Sequence, residues 1–275
     1  MAVASRGVAK RRVVRVRAGR DATGRIDHLA AEEPLEIRVD GEVRTTTMRT
    51  PGEDFELAVG WCLAEGLLAA GDVASARYCL GTDEAGRQTY NVVDVGTRSG
   101  SAPGHPRLVG TSSACGLCGS DSIADVRARA GTVHDDDVRV APGVLTALPG
   151  RLREAQAVFD RTGGLHAAGL FTADGELACA REDVGRHNAV DKVLGWAVAA
   201  GALPLGGHVL MVSGRVAFEI VAKALTARIP VVAAVSAPTS LAVELAAEAG
   251  VTLVGFLRGE EMNVYSHPHR LDGGP

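Results

Sequence analysis

Hydrophobic and polar residues alternate in several short segments near the start of the chain, which is the pattern of half-buried β-strands. Residues 13–17, 35–39 and 43–48 alternate in this way. The last two segments flank Asp40-Gly41, a dipeptide that favours a tight hairpin turn because both residues tolerate positive φ. We therefore expect one early strand, followed by a β-hairpin with a polar face.

A helical period follows the hairpin. Apolar residues recur at helical spacing between residues 55 and 68, which predicts a helix, and Gly71 marks its end. Short apolar segments around Tyr78 and at residues 90–93 predict two more strands. These elements make the first half of the chain a small, mostly antiparallel α+β unit.

The second half of the chain alternates between short β-branched runs and longer helical segments. Residues 209–213, 231–236 and 251–257 are continuous apolar runs, separated by predicted helices at 216–228 and 239–249. This alternation is typical of parallel strands that are buried on both faces of a sheet. Upstream segments add a helix at 146–160, strands at 165–172 and 176–181, and a helix that ends near residue 200.

These patterns predict an α/β chain with two units, α+β overall. Residues 1–140 are expected to form the smaller α+β unit, which ends in a mobile loop at about 98–120. Residues 141–275 are expected to form the larger α/β unit with the ligand site, because ligands of parallel sheets bind at the carboxyl ends of the strands. A chain of 275 residues is long enough for one sizeable domain and a smaller companion.

Composition and charge exclude several classes of function. The formal net charge is -4 and the pI is about 6.1, which argues against a nucleic-acid partner. No apolar run approaches membrane-spanning length. The basic N-terminus precedes an alternating segment rather than the apolar core of a signal peptide, so export is not expected. Five cysteines, an odd number, favour a reducing compartment, and we predict a cytoplasmic protein.

Cys115 and Cys118 are the strongest candidates for chemistry. They lie in Ser-Ser-Ala-Cys-Gly-Leu-Cys-Gly, residues 112–119, among glycines and small side chains that allow close approach to sulfur. The thiolate is the reactive form of cysteine, and C-x-x-C arrangements lower the thiol pKa. Such a pair could carry sulfur as a persulfide. Apolar helical or strand segments contain the other three cysteines, which we interpret as small hydrophobic residues: Cys62, Cys79 and Cys179.

Polar residues follow three of the predicted parallel strands. Ser213-Gly214-Arg215 precedes a helix, where a helix N-terminus and a guanidinium could meet an anion. Residues 236–240 have the hydroxyls and proline of a helix start, so helix capping and ligand binding both stay open. The third segment offers a stacking ring, an arginine and carboxylates, which suit a guanine nucleotide, at Phe256, Leu257, Arg258, Gly259, Glu260 and Glu261.

The polar residues that lead into the helix ending near residue 200 allow two interpretations. They could pair one helical turn apart, His187 with Asp191 and Asn188 with Lys192. Alternatively, Arg186, His187 and Asn188 could form the wall of a pocket.

His166 allows two interpretations as well, since an interior histidine and a functional one are equally compatible with its surroundings. Residues 135–137 are three successive aspartates, which we interpret as a solvated loop. No metal site is predicted.

Three segments resemble motifs of the formate dehydrogenase accessory sulfurtransferase (FdhD) family. They are residues 112–119, Arg-Glu-Asp-Val-Gly-Arg-His-Asn-Ala-Val-Asp-Lys at 181–192, and Phe-Leu-Arg with Met-Asn-Val-Tyr at 256–265. Val-Ser-Gly-Arg at 212–215 is a fourth match. The motifs occur in the family's order, and the similarity extends over nearly the whole chain from about residue 35.

The resemblance implies that sulfur moves as a persulfide from a cysteine desulfurase to the bis-guanine-dinucleotide molybdenum cofactor, which formate dehydrogenase later receives. Cys115 would carry the persulfide, and Cys118 would assist the transfer or share the sulfur. Residues 256–261 match the segment that the family uses for the guanine dinucleotide. Glu260 and Glu261 stand where the family pattern leads us to expect a basic residue.

The resemblance also implies a cytidine-deaminase-like larger unit and a homodimer. The molybdenum cofactor would be a bound substrate, and the protein would hold no metal of its own. No nucleic acid or membrane is expected as a partner.

Other functions remain possible for the thiol pair. A zinc site would need two more ligands, for which His267 and His269 are candidates. A thiol redox role is typical of C-x-x-C at the start of a helix, whereas this pair lies in a predicted loop. A non-catalytic chaperone of the molybdenum cofactor would share the nucleotide site and need no thiol. A deaminase is disfavoured, because the His-x-Glu and Pro-Cys-x-x-Cys motifs are absent from the sequence.

Overall fold

The computed structural model describes residues 7–81, 86, 88–100, 109–111 and 123–273. The chain begins with a two-stranded antiparallel ribbon, β1 (Val8–Arg15) and β2 (Thr23–Ala30). The predicted strand at 13–17 therefore exists but begins at Val8. Its partner β2 was not predicted, because its polar residues interrupt the apolar alternation.

The predicted hairpin is confirmed. Strands β3 (Glu33–Val39) and β4 (Glu42–Arg49) pair antiparallel. Asp40 and Gly41 form the turn, with φ angles of 50° and 81°. A positive φ at both central residues matches the twist of the flanking strands, which is why this dipeptide marks the turn in the sequence.

The hairpin belongs to a five-stranded sheet with β5 (Val73–Tyr78), β6 (Val92–Thr97) and β7 (Val109–Thr111), in the order β5-β6-β3-β4-β7. The β3–β6 and β4–β7 pairs are parallel, and the other two pairs are antiparallel. The sheet is therefore mixed rather than mostly antiparallel. The prediction of a loop over 98–120 is wrong at residues 109–111, which form β7 and pair with β4.

Helix α1 (Asp54–Ala64) packs on this sheet. It is shorter than the predicted helix at 55–68, because the chain turns at Gly66, where φ is 70°. Its buried side chains form the core of the smaller unit with apolar residues of β3 and β6.

A six-stranded sheet dominates the second half of the chain. Its order is β13-β12-β11-β10-β8-β9, and β10, β11 and β12 are parallel as predicted. The β10–β8, β8–β9 and β12–β13 pairs are antiparallel. The strands are β8 (His166–Thr172), β9 (Leu177–Asp183), β10 (His208–Val212), β11 (Val231–Ala234), β12 (Thr252–Arg258) and β13 (Glu261–Ser266).

Helices cover both faces of this sheet, and a hydrophobic core fills the space on each side. The helix predicted at 146–160 is two helices, because the chain breaks at Ala155 and Gln156. No helix among the described residues is long and apolar enough to cross a membrane. The helices are α2 (Ile123–Ala130), α3 (Pro142–Glu154), α4 (Ala157–Thr162), α5 (Arg186–Ala199), α6 (Phe218–Thr226) and α7 (Ser240–Ala249).

The molecule is thus a mixed α/β structure in which a helix on the smaller sheet packs against a helix on the larger sheet. Ala130 and Val133 belong to the core beneath α6 and α7, and α1 packs along α5. The division of the chain at residue 140 and the cytidine-deaminase-like arrangement of the larger unit stay predictions.

Candidate functional site

The predicted catalytic thiols, Cys115 and Cys118, lie outside the described residues. Before them, β7 ends at Thr111 on the edge of the five-stranded sheet. After them, the described chain resumes at Ile123, where α2 begins, and α2 packs against α6. The described residues on the two sides of the thiol segment therefore lie in the edge strand β7 and in a helix that packs against α6.

Two of the other cysteines, Cys62 and Cys179, are not suited to thiolate chemistry. Cys62 and Cys179 are buried in hydrophobic cores, as predicted. Burial raises the pKa of Cys179 to about 12 and also raises the pKa of Cys62 far above its usual range. Cys79 is a half-buried free thiol just after β5. Because the thiolate is the nucleophile, Cys62 and Cys179 are inert at neutral pH.

The loops that follow the three parallel strands meet at the carboxyl ends of these strands. The backbone N–H of Val216 donates to the carbonyl of Ala237 at 3.2 Å, and the N–H of Thr239 donates to the carbonyl of Val216 at 2.9 Å. A Cβ on Gly255 would lie 2.9 Å from Cδ of Pro238. The predicted polar segments at 213–215, 236–240 and 255–261, which follow β10, β11 and β12, are thus brought together. We call the place where they meet the rim.

Thr239 explains part of the sequence pattern after β11. Its side chain accepts a hydrogen bond from the N–H of Ala242 at 3.4 Å and caps α7. The capping interpretation of residues 236–240 is therefore confirmed for Thr239.

Phe256 lies on the rim in a left-handed conformation, with φ of 53°. Its N–H donates to the carbonyl of Ser236 at 3.2 Å, and a register shift interrupts the β12–β13 pairing at this point. The ring is 39% exposed, and the guanidinium carbon of Arg258 lies 5.9 Å from its centroid. An exposed ring next to an exposed cation can stack on a base and meet a phosphate.

The rest of the predicted nucleotide segment forms the turn between β12 and β13. Gly259 has φ of 57°, which allows the tight turn. Leu257 is buried and belongs to the core, so its side chain does not face a ligand. Glu260 and Glu261 are exposed, and Glu261 lies opposite Arg258 in the strand register.

His166 also lies on the rim, since β8 runs antiparallel to β10 and begins where β10 ends. A Cβ on Gly214 would be 3.2 Å from Nδ1 of His166 and 3.6 Å from Cδ of Arg186. Burial lowers the pKa of His166, and the charges of Arg186 and Arg215 lower it further. The sequence separates these residues widely, and the antiparallel β8–β10 pair brings them together.

His187 lies in the first turn of α5, one residue from Arg186. Burial lowers the pKa of His187 to about 3, and the charge of Lys223 adds to this effect. Its Nε2 makes no hydrogen bond within the described part of the chain, and the nearest carboxylate oxygen of Glu219 is 3.8 Å away. His187 is therefore a neutral imidazole at pH 7.

Of the two interpretations of the polar residues at the start of α5, pairing one helical turn apart is wrong, because Asp191 and Lys192 bind partners outside the helix. Asp191 pairs with Lys223 of α6 at 2.5 Å. Lys192 pairs with Asp183, at the end of β9, at 2.9 Å. Helical spacing gives neighbours on the helix surface, but α5 is covered by other elements and its polar side chains reach across to them.

Asp183 is the centre of a buried polar network. It is fully buried and accepts hydrogen bonds from the Asn188 side chain at 2.9 Å and the Thr50 N–H at 3.1 Å. Lys192 donates to the carbonyl of Thr50, and Asn188 donates to the carbonyl of Met48. Much of the polar segment 181–192 therefore joins the smaller unit to the larger one.

The acidic run at 135–137 also has a structural role. Asp135 pairs with Arg228, and Asp136 accepts from the N–H groups of Val138 and Gly207 at 2.9 Å. His267 lies beside His134 and His269, but its Nε2 is hydrogen-bonded to the backbone carbonyl of Ala247 at 2.8 Å. Within the described ranges, no group of three or more His, Cys, Asp or Glu side chains could hold a metal ion.

A cavity of about 240 Å³ lies between the segment that precedes α1 and the adjoining ends of β8 and β9. Glu53 faces it in a left-handed conformation with φ of 51°. Burial raises the pKa of Glu53, while Lys192, 3.9 Å away, opposes this shift. The sequence marks this position only as a turn after Pro51-Gly52, so the cavity was not predicted.

Comparisons with a family model and with known relatives match this chain over nearly its whole length. The sequence model of the FdhD/NarQ family matches residues 30–272. "Sulfur carrier protein FdhD" of Nocardia farcinica is 56% identical over 271 residues, which cover 98% of this chain and 96% of the relative. The protein of the same name from Streptomyces coelicolor is 56% identical over 272 residues, 95% of each chain.

The fold has a counterpart among solved structures. A crystal structure of a formate dehydrogenase accessory protein from Desulfotalea psychrophila superposes with a TM-score of 0.76 and covers 96% of this chain and 99% of its own. The identity is 23%, so this likeness concerns the fold. From the family match and the two relatives, the chain belongs to the FdhD/NarQ family.

Proposed function

We propose that this protein is a sulfurtransferase that carries sulfur as a persulfide on Cys115 and supplies it to the molybdenum cofactor of formate dehydrogenase. The observation that carries the proposal is the full-length similarity to relatives named sulfur carrier protein, at 56% identity. The burial of Cys62 and Cys179 supports it, because it leaves the C-x-x-C pair as the better candidates for an exposed thiolate.

Loading follows thiol–disulfide exchange. The Cys115 thiolate attacks the terminal sulfur of a persulfide on a cysteine desulfurase. The bond between Cys115 and that sulfur forms while the donor's S–S bond breaks, and the donor cysteine leaves as a thiolate. No net oxidation or reduction occurs, since one S–S bond replaces another.

Cys118 assists delivery in this proposal. Its thiolate attacks Sγ of Cys115, a disulfide between the two cysteines forms, and the terminal sulfur leaves as sulfide. The two cysteines are oxidised and the carried sulfur is reduced by two electrons, so the step balances. Sulfide is a soft ligand suited to molybdenum. A thiol reductant then regenerates the pair for the next cycle.

The rim is the proposed binding site for the guanine dinucleotide part of the substrate. Phe256 offers an exposed ring for the base and Arg258 a cation for phosphate. Gly259 gives the turn its shape, while Leu257 anchors the segment in the core. Glu260 and Glu261 are exposed and would weaken phosphate contact by repulsion.

The partners in this proposal are a cysteine desulfurase, which donates sulfur, and formate dehydrogenase, which is the client. The protein acts as a homodimer in the cytoplasm, where reducing conditions keep the thiol pair available.

Intact-mass measurement after incubation with a cysteine desulfurase and cysteine tests the proposal. The wild type and Cys118→Ala should each gain sulfur that a reductant removes, and Cys115→Ala should not. Cys79→Ala is the matched control, because it removes a half-buried thiol elsewhere, and it should load normally. Full formate dehydrogenase maturation by Cys115→Ala would favour a non-catalytic chaperone instead.

A further inference from the structure

The N-terminal ribbon of β1 and β2 has unusually exposed apolar side chains. Val14 is 68% exposed and Ile26 is 59% exposed. The ribbon is attached near its base, where the N–H of Ala31 donates to the carbonyl of Gly7 at 2.9 Å and α4 packs against β2. A two-stranded ribbon with little support is marginally stable in water, so a covering surface would stabilise it.

One face of the ribbon combines these apolar side chains with cations. In the strand register Arg12 lies opposite Ile26, and Lys10 and Val14 are two positions away along β1. Alternate residues of a strand and directly opposite residues share a face. We call Lys10, Arg12, Val14 and Ile26 the basic face.

The charges of the ribbon are strongly one-sided. The ribbon and its connecting turn contain seven basic residues, from Lys10 to Arg25, but only two acidic residues, Asp21 and Asp27. Arg25 pairs with Asp27, which lies on the opposite face. Lys10 and Arg12 have no carboxylate partner among the described residues. The remainder of the chain is acidic, since the whole chain has a formal charge of -4.

The ribbon precedes the residues that the family model matches. The family model begins at residue 30, where β2 ends. The Nocardia farcinica relative nevertheless covers 98% of this chain, so it has a counterpart of the ribbon.

We propose that the basic face docks on a protein surface where carboxylates alternate with apolar side chains. Lys10 and Arg12 would meet the carboxylates, and Val14 and Ile26 would be covered by the apolar groups. A nucleic acid is disfavoured because the acidic remainder of the chain would repel a polyanion, and because phosphates offer nothing to the two apolar side chains.

The inference rests on the proposed function for its choice of partner, which is the formate dehydrogenase client. Binding of the wild-type chain to purified formate dehydrogenase apoprotein is measured by biolayer interferometry at low and high salt. Lys10→Glu/Arg12→Glu should weaken binding by about tenfold or more at low salt, and the difference should shrink at high salt. Val14→Ser/Ile26→Ser should weaken binding at both salt concentrations.

The matched control is Arg139→Glu/Arg161→Glu, which makes the same change in net charge at two exposed arginines outside the ribbon. It should bind like the wild type. Thermal unfolding of all variants should match the wild type, because the ribbon contributes no residue to the hydrophobic cores.

The docking proposal is overturned if the wild type does not bind the apoprotein, or if both charge variants weaken binding equally. It is also overturned if the basic face instead binds labelled duplex DNA or phosphatidylglycerol vesicles more tightly than the apoprotein. Sulfur loading of the ribbon variants by a cysteine desulfurase is measured separately. Normal loading with lost docking supports the proposal, whereas no loading of the wild type contradicts the proposed function alone.

Discussion

Gly60 of α1 and Gly195 of α5 lie where the two helices cross in direct backbone contact. A Cβ on Gly60 would be 1.8 Å from the carbonyl oxygen of Asp191, and a Cβ on Gly195 would be 1.9 Å from that of Glu56. No side chain can be accommodated at these distances, so the two glycines set the separation of the helices and hold the smaller unit against the larger one.

Gly60→Ala and Gly195→Ala should each destabilise the protein by about 3 kcal/mol or more, because the helices must move apart to admit a methyl group. Urea unfolding measures the change. Gly143→Ala in α3 is the control, since nothing lies within 4 Å of its Cβ position. Alanine there should be neutral or slightly stabilising. Equal stability of the Gly60 and Gly143 variants would contradict the close crossing.

His187 should make the protein less stable as the pH falls from about 6.5 towards 3. Its pKa is lowered to about 3 in the folded state by burial, so the unfolded chain binds a proton first in this range. The loss between pH 7 and pH 5 should be about 2 kcal/mol. Unfolding of wild type and His187→Gln across this range measures it.

The His187→Gln variant should lose this part of the pH dependence, whereas His28→Gln, outside the hydrophobic cores, should keep it. Asp191 acts in the opposite direction, because burial raises its pKa to about 6 against the effect of Lys223. Its contribution is present below about pH 4 and is lost as the pH rises to 6. Parallel curves for the wild type and His187→Gln would contradict the prediction.

Removal of the Lys192 charge should be strongly destabilising. Lys192→Met leaves the fully buried Asp183 without its cation, and the expected loss is about 3–5 kcal/mol. Arg228→Met is the control, because its pair with Asp135 is exposed and should contribute less than about 1 kcal/mol. Asp183→Asn/Lys192→Met should recover part of the loss, and chemical denaturation measures all three variants. No recovery would indicate that the uncompensated charge is not the cause.

Phe256 should bind the guanine base, so Phe256→Ala should weaken binding of guanosine diphosphate by about tenfold. Phe55→Ala removes a ring that is exposed to nearly the same extent, 40% against 39%, and should have no effect. Fluorescence titration with guanosine and adenosine diphosphates measures the affinities. Equal affinity of the wild type for both nucleotides would argue against base recognition at the rim.

Glu260→Gln/Glu261→Gln should strengthen guanosine diphosphate binding, because it removes two exposed carboxylates next to Arg258. The gain should shrink as salt is added, since exposed charges are screened. Glu42→Gln, an exposed carboxylate on β4, is the control and should change nothing. An unchanged or weaker affinity would place the phosphates away from this turn.

The sequence alone determined the local elements. The Asp40-Gly41 turn, the parallel runs at β10, β11 and β12, and the helix cap at Thr239 follow from residue preferences and hydrophobic period, which act between neighbours in the chain. It also identified the candidate thiols Cys115 and Cys118, because a motif is read from residue types and spacing.

Only the tertiary structure decided which distant residues meet. The antiparallel start of β8 places His166 beside Gly214, and the covering of α5 directs Asp191 to Lys223 and Lys192 to Asp183 instead of to neighbours on the helix. Burial, together with the charge of Lys223, lowers the pKa of His187 and keeps its imidazole neutral. Long-range pairing and burial depend on how elements pack, and the period of a single segment does not contain that information.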